Sequence, residues 1–300
     1  MRILVTGGAG FIGSNLIQAL LISNYEVYSL DNYSTGYKSN EVEGCKYLDD
    51  DLLNIEKHFD ISFDVIFHLA SLARIQPSFL KPHDTFQSNV NGTESVLEYA
   101  RKHGSKVIFA GSSSRWHDPH QSPYATSKYI GEELCKMYRR SFDLRVQIAR
   151  FYNVYGPNEI TTGDYKTIIG VWRDQMKNDK PLTIIGDGDQ RRDFTYVGDI
   201  VDGLLRIMNT DIYHEDAWEL GTGLNYSIND IYKMFEEKYI VSSIHIPDQP
   251  GNYRVTLRED DDTLNQLEWM PTDKLKQYIH SLHKPNDESN QLKYKDELSL

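Results

Sequence analysis

A tyrosine and a lysine stand four residues apart in the stretch YATSK, at Tyr124 and Lys128. On a helix, this spacing places both side chains on one face. A phenol with its ordinary pKa of about 10 is a poor base at neutral pH. A neighbouring ammonium group favours the phenolate and brings that pKa toward the working pH. Taken alone, such a pair is most often part of an ordinary helix surface, so its surroundings must decide whether Tyr124 is a catalytic base.

Three serines, Ser112 to Ser114, precede this pair and follow the apolar run KVIFAG, which is predicted to be a buried strand. Open α/β sheets bind their ligands at the carboxyl ends of such strands. A hydroxyl placed there can hydrogen-bond the same substrate oxygen that the tyrosine deprotonates. Ser114 is expected to be no more than part of a serine-rich turn.

Glycines recur in the stretch VTGGAGFIGS, at Gly7, Gly10 and Gly13, between the first predicted strand and the first predicted helix. Such a turn lets the backbone approach a pyrophosphate, which the helix N-terminus attracts. Asp31 ends the next strand, 18 residues after Gly13, where a carboxylate can accept hydrogen bonds from both hydroxyls of an adenosine ribose. Because that carboxylate repels a 2′-phosphate, the predicted cofactor is NAD rather than NADP. Beside this turn, the tyrosine and lysine are interpreted as catalytic.

Buried β-runs alternate with helical patterns in the first half of the chain, which predicts an α/β fold. We expect a Rossmann-type, doubly wound parallel sheet over residues 1–155, carrying the serine, tyrosine and lysine. A smaller mixed α/β lobe, interleaved with the first, is predicted over residues 156–283, and a polar tail over 284–300. Two long helices are predicted at 82–103 and 122–141.

Composition excludes several classes of protein. Among 300 residues, 39% are hydrophobic and 25% charged, as is usual for a soluble globular protein, and no apolar run is long enough to predict a membrane span. The net charge of −12 argues against a nucleic-acid partner. Cys45 and Cys135 are far apart, which fits a reducing cytoplasm. His117 and His120 lack further ligands nearby, so no metal is expected.

Several motifs in order resemble the extended short-chain dehydrogenase/reductases, and among them the nucleotide-sugar epimerases and dehydratases, of which UDP-galactose 4-epimerase is the best-known type. They are TGGAGFIGSNL, DNYSTG, DDL, FHLAS, NVNGT, YATSK, RFYNVYGP and GDGDQRRDFTYVGDI. The resemblance implies Ser112 as the catalytic hydroxyl and Lys128 as an anchor of the nicotinamide ribose. It also implies a homodimer paired through the two long helices. The NAD contacts that it implies are Phe11, Ile12, Asp31, Asn32, Asp51, Leu52, Leu69, Ala70 and Ser71.

The same resemblance implies a sugar-nucleotide site in the second half. Asn153 and Arg192 are expected at the diphosphate, and the strand from Leu182 to Ile184 beside the base. A family arginine is replaced by Gln249, so Arg254 is expected to take over its phosphate contact. Thr256 occupies the position where a small residue admits N-acetyl sugars.

Related dehydratases follow the catalytic hydroxyl with an Asp-Glu pair, whereas Ser113 and Ser114 stand here. The resemblance therefore predicts epimerisation at C4 of a UDP-hexose through a transient 4-keto sugar, with UDP-N-acetylhexosamines as further candidate substrates. A 4,6-dehydratase or decarboxylase with the same first step remains the alternative, and an NAD-binding regulatory protein without turnover is one of another class. Eleven residues separate Ser112 from Tyr124, about half the usual interval. The pocket is thus expected to be more open, or closed by another segment.

Overall fold

Branched and aromatic residues form a seven-stranded parallel sheet in the computed structural model, which describes residues 1–283. Across the sheet the order is β10-β6-β5-β4-β1-β2-β3. These strands are β1 (Arg2–Thr6), β2 (Glu26–Asp31), β3 (Lys46–Asp49), β4 (Val65–His68), β5 (Lys106–Ser112), β6 (Val146–Phe151) and β10 (Trp218–Leu220). The order reverses between β1 and β4, so the carboxyl ends of the strands open a crevice there.

Helices cover both faces of this sheet, and one apolar core lies beneath each layer. They are α1 (Phe11–Ile22), α2 (Ile55–His58), α3 (Ile75–Leu80), α4 (Pro82–Phe86), α5 (Gly92–His103), α6 (Pro123–Phe142), α8 (Val197–Asn209) and α10 (Asp262–Leu267). Among residues 1–283, no helix is long and apolar enough to cross a membrane.

A smaller lobe has its own core around the fully buried Trp172. Its strands β7 (Asn153–Tyr155), β9 (Arg191–Tyr196) and β11 (Asn225–Ser227) form one mixed sheet, while β8 (Leu182–Ile185) pairs with β12 (Ser243–Ile246). Its helices are α7 (Ile168–Lys177), α9 (Ile228–Glu236) and α11 (Leu275–Ser281). The predicted fold, a Rossmann-type sheet with a smaller mixed lobe, is confirmed.

The chain returns from the smaller lobe to the large sheet. Strand β10 pairs in parallel with β6, and α8 packs in the same core as α1. Sequence periodicity does not reveal this return, because a three-residue strand has no pattern of its own.

The predicted helix over 82–103 is interrupted by a wider π-helical turn at Gln87–Asn91. The predicted tail, 284–300, lies outside the described residues.

Candidate active site

Ser112 and Tyr124 meet at the floor of the crevice. Ser112 is the last residue of β5, and Tyr124 lies in the first turn of α6. The side chain of Ser122 caps α6 by accepting the Ala125 N–H at 3.1 Å, and the hydroxyl of Ser78 in α3 accepts the Tyr124 N–H at 3.1 Å. The Tyr124 hydroxyl donates to Ser112 Oγ at 3.2 Å. The structure therefore brings together the two hydroxyl groups that the sequence singled out.

A second serine supports the first. The Ser114 hydroxyl donates to Ser112 Oγ at 2.9 Å, and the Ser114 N–H reaches the same oxygen at 3.2 Å. Because Ser114 donates to this oxygen, the Ser112 proton is left for a ligand. Sequence analysis predicted only a turn role for Ser114, because its contact with Ser112 depends on the 3₁₀ turn that follows β5.

Lys128 lies one helical turn beyond Tyr124 and is buried. Its Nζ donates to the carbonyl oxygen of Ala110 at 2.5 Å and lies over the ring of Phe109. Burial lowers the pKa of Lys128 to about 8, although the charge of Glu132 partly opposes this effect. The ammonium group is thus close to its titration range near neutral pH.

The phenol of Tyr124 experiences opposing influences. Burial raises the pKa of Tyr124, while the hydrogen bond with Ser112 and the positive charge of Arg74 lower it. A buried phenolate needs positive charge nearby. Arg74 supplies such a charge from the residue immediately before α3.

Behind Ser112 lies a buried ionic cluster centred on Arg150. Its guanidinium bonds Glu132 at 2.8 Å, Asp216 at 2.8 Å and Glu219 at 2.7 Å. Glu132 also accepts the Ser112 N–H at 3.4 Å, which ties the end of β5 to the middle of α6. The sequence analysis missed Glu132, although its position four residues after Lys128 places it on the same helix face.

The glycine-rich turn is shaped to approach a ligand closely. Gly7 has a φ of +73°, and a Cβ on Gly13 would lie 2.2 Å from the Gly7 carbonyl oxygen. Asp31 holds the turn by accepting the N–H groups of Ala9 at 2.9 Å and Tyr33 at 2.8 Å. Burial raises the pKa of Asp31, while these two N–H groups oppose the shift. The cradle accordingly fits the dinucleotide that the sequence predicts.

One cavity of about 670 Å³ joins this cradle to Ser112 and Tyr124. Every predicted cofactor contact lines it: Gly7, Gly10, Phe11, Ile12, Gly13, Asp31, Asn32, Asp51, Leu52, Leu69, Ala70, Ser71, Tyr124 and Lys128. Asn32 donates to Asp51 at 3.0 Å, which links two of these side chains. The cofactor contacts themselves stay predictions.

The predicted sugar-nucleotide residues divide into two groups. Asn153, Arg192 and Thr256 line the cavity, and Asn153 donates to the Thr256 hydroxyl at 3.1 Å. Arg192 has no carboxylate partner among the described residues; it donates to the side chain of Asn252 at 2.6 Å. Burial lowers the pKa of Arg192 to about 10, so this guanidinium is partly desolvated and suited to an anion.

Three other predicted contacts do not reach the cavity. Leu182 and Ile184 point into the core of the smaller lobe, whereas Thr183 and Ile185 line the cavity. Alternate residues of a strand face opposite sides, so the prediction chose the wrong side of β8. Arg254 is exposed and pairs with Asp187 at 2.8 Å. It does not replace the arginine lost at Gln249, which itself lines the cavity.

The short segment between Ser112 and Tyr124 is met by another part of the chain. The ring of His117 stacks on Tyr253, with centroids 3.9 Å apart and planes 8° from parallel. Burial and the charge of Arg192 lower the pKa of His117. Residues 249–256 thus close the side of the pocket that the short segment leaves open.

Within residues 1–283, no group of three or more histidine, cysteine or acidic side chains could hold a metal ion.

Comparison with known proteins adds independent findings. A family model described as the NAD dependent epimerase/dehydratase family matches residues 3–221. A putative UDP-glucose 4-epimerase of Methanocaldococcus jannaschii is 34% identical over 298 residues, covering 92% of this chain and 95% of that protein. UDP-glucuronic acid decarboxylase 1 of Xenopus tropicalis is 29% identical over 255 residues, covering 79% of this chain and 60% of that protein.

Solved structures agree in fold. UDP-glucose 4-epimerase of Thermotoga maritima, solved with UDP-glucose, superposes with a TM-score of 0.85 at 27% identity, covering 93% of this chain and 96% of that chain. UDP-glucuronic acid 4-epimerase of Bacillus cereus, in complex with UDP-glucuronic acid and NAD, gives a TM-score of 0.82 at 29% identity, with 93% and 96% covered.

Proposed function

Because the chain belongs to the NAD-dependent epimerase/dehydratase family, we propose that it interconverts a UDP-hexose and its C4 epimer through a transient 4-keto sugar. UDP-N-acetylhexosamines are included among its substrates. One observation carries the proposal: a single cavity is lined by the glycine-rich cradle, the Ser112–Tyr124 pair and Arg192. Among residues 1–283, Arg192 forms no ion pair with a carboxylate. A nucleotide sugar in that cavity has its diphosphate near Arg192 and its sugar near Tyr124.

Tyr124 takes the proton of the C4 hydroxyl in the first step and returns it in the last. NAD, when bound, supplies the hydride acceptor for C4 and later the hydride donor to the opposite face of the ring. Ser112 donates a hydrogen bond to the C4 oxygen, since the Ser114 hydroxyl already donates to the Ser112 oxygen. Lys128 and Arg74 place positive charge around the phenolate.

The carboxylates of the cavity favour epimerisation over dehydration. Those among the described lining residues are Asp31, Asp50, Asp51 and Asp164, and none of them follows Ser112. Asp118 caps a 3₁₀ turn by accepting the His120 N–H at 2.9 Å. With no acid placed to eliminate water from the sugar, the 4-keto sugar turns over and is reduced again.

Substrate breadth is assigned to Thr256. Its hydroxyl accepts from Asn153 at 3.1 Å and from the Asp193 N–H at 3.3 Å, so a small, fixed side chain lines this wall. A small side chain at this position supports the acceptance of a 2-acetamido group.

Decarboxylation of a UDP-hexuronic acid is the second candidate, since it begins with the same C4 oxidation. The likeness to UDP-glucuronic acid decarboxylases supports it.

An NAD-binding regulatory protein without turnover is disfavoured, because such a protein has no use for Ser112, Tyr124 and Lys128. The homodimer and the cytoplasmic location stay predictions from the sequence.

The test is turnover of UDP-glucose and UDP-galactose by purified protein, followed by chromatography, beside the variant Tyr124→Phe. We expect interconversion by the unmodified chain and a loss of at least roughly 100-fold in kcat for the variant, as removal of a general base gives. Turnover that survives the substitution undiminished contradicts the proposal.

A further inference from the structure

Arg74 is a charged residue in the cavity that the proposed reaction does not fully use. Its Nε donates to the carbonyl oxygens of Tyr165 at 3.1 Å and Lys166 at 3.0 Å, and its Nη1 donates to that of Ala73 at 2.9 Å. Within residues 1–283, Nη2 of Arg74 forms no hydrogen bond and no carboxylate forms an ion pair with this guanidinium. Arg74 lines the cavity. Backbone carbonyl groups bind its Nε and Nη1, so its Nη2 is left for a ligand.

Among the described residues, two of the cationic side chains that line the cavity have no carboxylate partner. Its four cationic side chains are Arg74, Lys128, Lys166 and Arg192. Lys166 pairs with Asp174 at 2.8 Å, and Lys128 bonds Ala110. Two guanidinium groups therefore remain without a carboxylate, in a chain whose net charge is −12. A cation kept from water without a counter-charge is costly, so each of the two calls for an anionic ligand group.

The two guanidinium groups lie in different parts of the cavity. Arg192 donates to the side chain of Asn252, and its charge lowers the pKa of His117. Arg74 immediately precedes α3, whose Ser78 hydroxyl holds the backbone of Tyr124. This contact between α3 and Tyr124 puts Arg74 on the Tyr124 side of the cavity, near the reacting end of a substrate, and the charge of Arg74 lowers the pKa of Tyr124.

The carboxylate of Glu159, whose charge acts on Arg74, is already occupied. Glu159 accepts from Thr167 at 2.6 Å and from Tyr278 at 3.0 Å, and lies 3.5 Å from Arg173. Arg74 is therefore not held for an internal ion pair that a small side-chain motion would complete.

We propose that Arg74 binds a carboxylate on the sugar, so that UDP-hexuronic acids are the preferred substrates of this site. The inference rests on the proposed function and narrows its substrate class. A C6 carboxylate lies two bonds from C4, the carbon that must face Tyr124, and a guanidinium fork matches the geometry of a carboxylate. Arg192 serves the diphosphate that all UDP-sugars share.

The experiment compares UDP-glucuronic acid with UDP-glucose on the full chain, measuring both kcat/KM and Kd by calorimetry. We expect a preference of about 10-fold or more for the uronic acid, as one charge-assisted hydrogen bond provides. Arg74→Gln should reduce this preference at least 10-fold. The matched control, Arg192→Gln, should weaken both substrates alike and leave the preference in place.

Equal or weaker use of UDP-glucuronic acid by the unmodified chain overturns the inference, whatever the variants do. So does an Arg74→Gln variant that loses both substrates equally or is purified without NAD, because Arg74 would then serve the cofactor or the fold. Should neither sugar be turned over, the proposed function fails, whereas the ratio of the two Kd values still tests Arg74.

Discussion

At the scale of single residues, the hydroxyl groups of Ser112, Ser114 and Tyr124 act as one unit. The Ser114 hydroxyl donates to the Ser112 oxygen and directs the Ser112 proton toward a ligand, while the Tyr124 hydroxyl lies 3.2 Å from the same oxygen. The contribution of Ser112 to catalysis therefore depends on Ser114, which takes no direct part in proton transfer. This dependence can be measured.

We expect Ser112→Ala to reduce kcat roughly 100-fold, since a donor to the reacting oxygen is lost. Ser114→Ala should reduce kcat about 3- to 10-fold, the effect of one neutral hydrogen bond. Steady-state rates with UDP-glucose, with NAD content as the control for folding, measure both. A Ser114→Ala variant as impaired as Ser112→Ala would show instead that Ser114 itself touches the substrate.

Residue types and spacing predicted Tyr124, Lys128, the glycines and Asp31, because each is recognisable from its neighbours in the chain. Arg74 and Glu132 could not be found in this way. Their roles depend on segments distant in sequence, such as the carbonyl groups at 165–166 and the guanidinium of Arg150. Spacing alone gives no sign of those partners.

At the scale of elements, His68 joins three parts of the large lobe. Its Nδ1 lies 2.8 Å from the Thr6 hydroxyl at the end of β1, and its Nε2 lies 2.9 Å from the Thr93 hydroxyl on α5. Complete burial lowers the pKa of His68 to about 3. The folded protein therefore holds this ring neutral.

The free energy of unfolding should therefore decrease as the pH is lowered. The unfolded chain protonates this histidine near its ordinary pKa of 6.5, whereas the folded chain does so only near 3. Between these values the unfolded state binds more protons, so the free energy of unfolding decreases as pH falls, by about 2 kcal/mol from His68 between pH 7.5 and pH 5.

Urea unfolding at the two pH values measures this loss. His68→Gln should be less stable at pH 7.5 but lose less stability on acidification than the unmodified chain. The exposed His120 provides the control, since His120→Gln should keep the full acid dependence. An equal loss in the His68 variant would contradict the assignment.

Sequence reasoning was less exact for strands than for motifs. The strand at β8 was predicted, but with the wrong side facing the cavity, because Leu182, Thr183, Ile184 and Ile185 are all apolar or small enough for either face. A run without polar alternation leaves the phase undetermined. Packing against Trp172 and α9 decides it in the folded chain.

At the scale of the whole molecule, the two lobes share one cavity whose ends differ in chemistry. Acidic and glycine residues line the end formed by β1 and β2, and Arg192 with residues 249–256 lines the other. The family was predicted from ordered motifs and is confirmed by the match over residues 3–221. The stacking of His117 on Tyr253 was not predictable, because it joins a segment of unusual length to the opposite lobe.

The central claim is that the sugar is oxidised and reduced at C4 without exchange at its other carbons. The most direct measurement is NMR of purified protein incubated with UDP-glucose in deuterated buffer, with no cofactor added. We predict that the C4 epimer appears, carries no solvent deuterium at C5, and forms with NAD that was purified with the protein. A 4-keto-6-deoxy product carrying deuterium would contradict the account and assign the chain a dehydratase reaction.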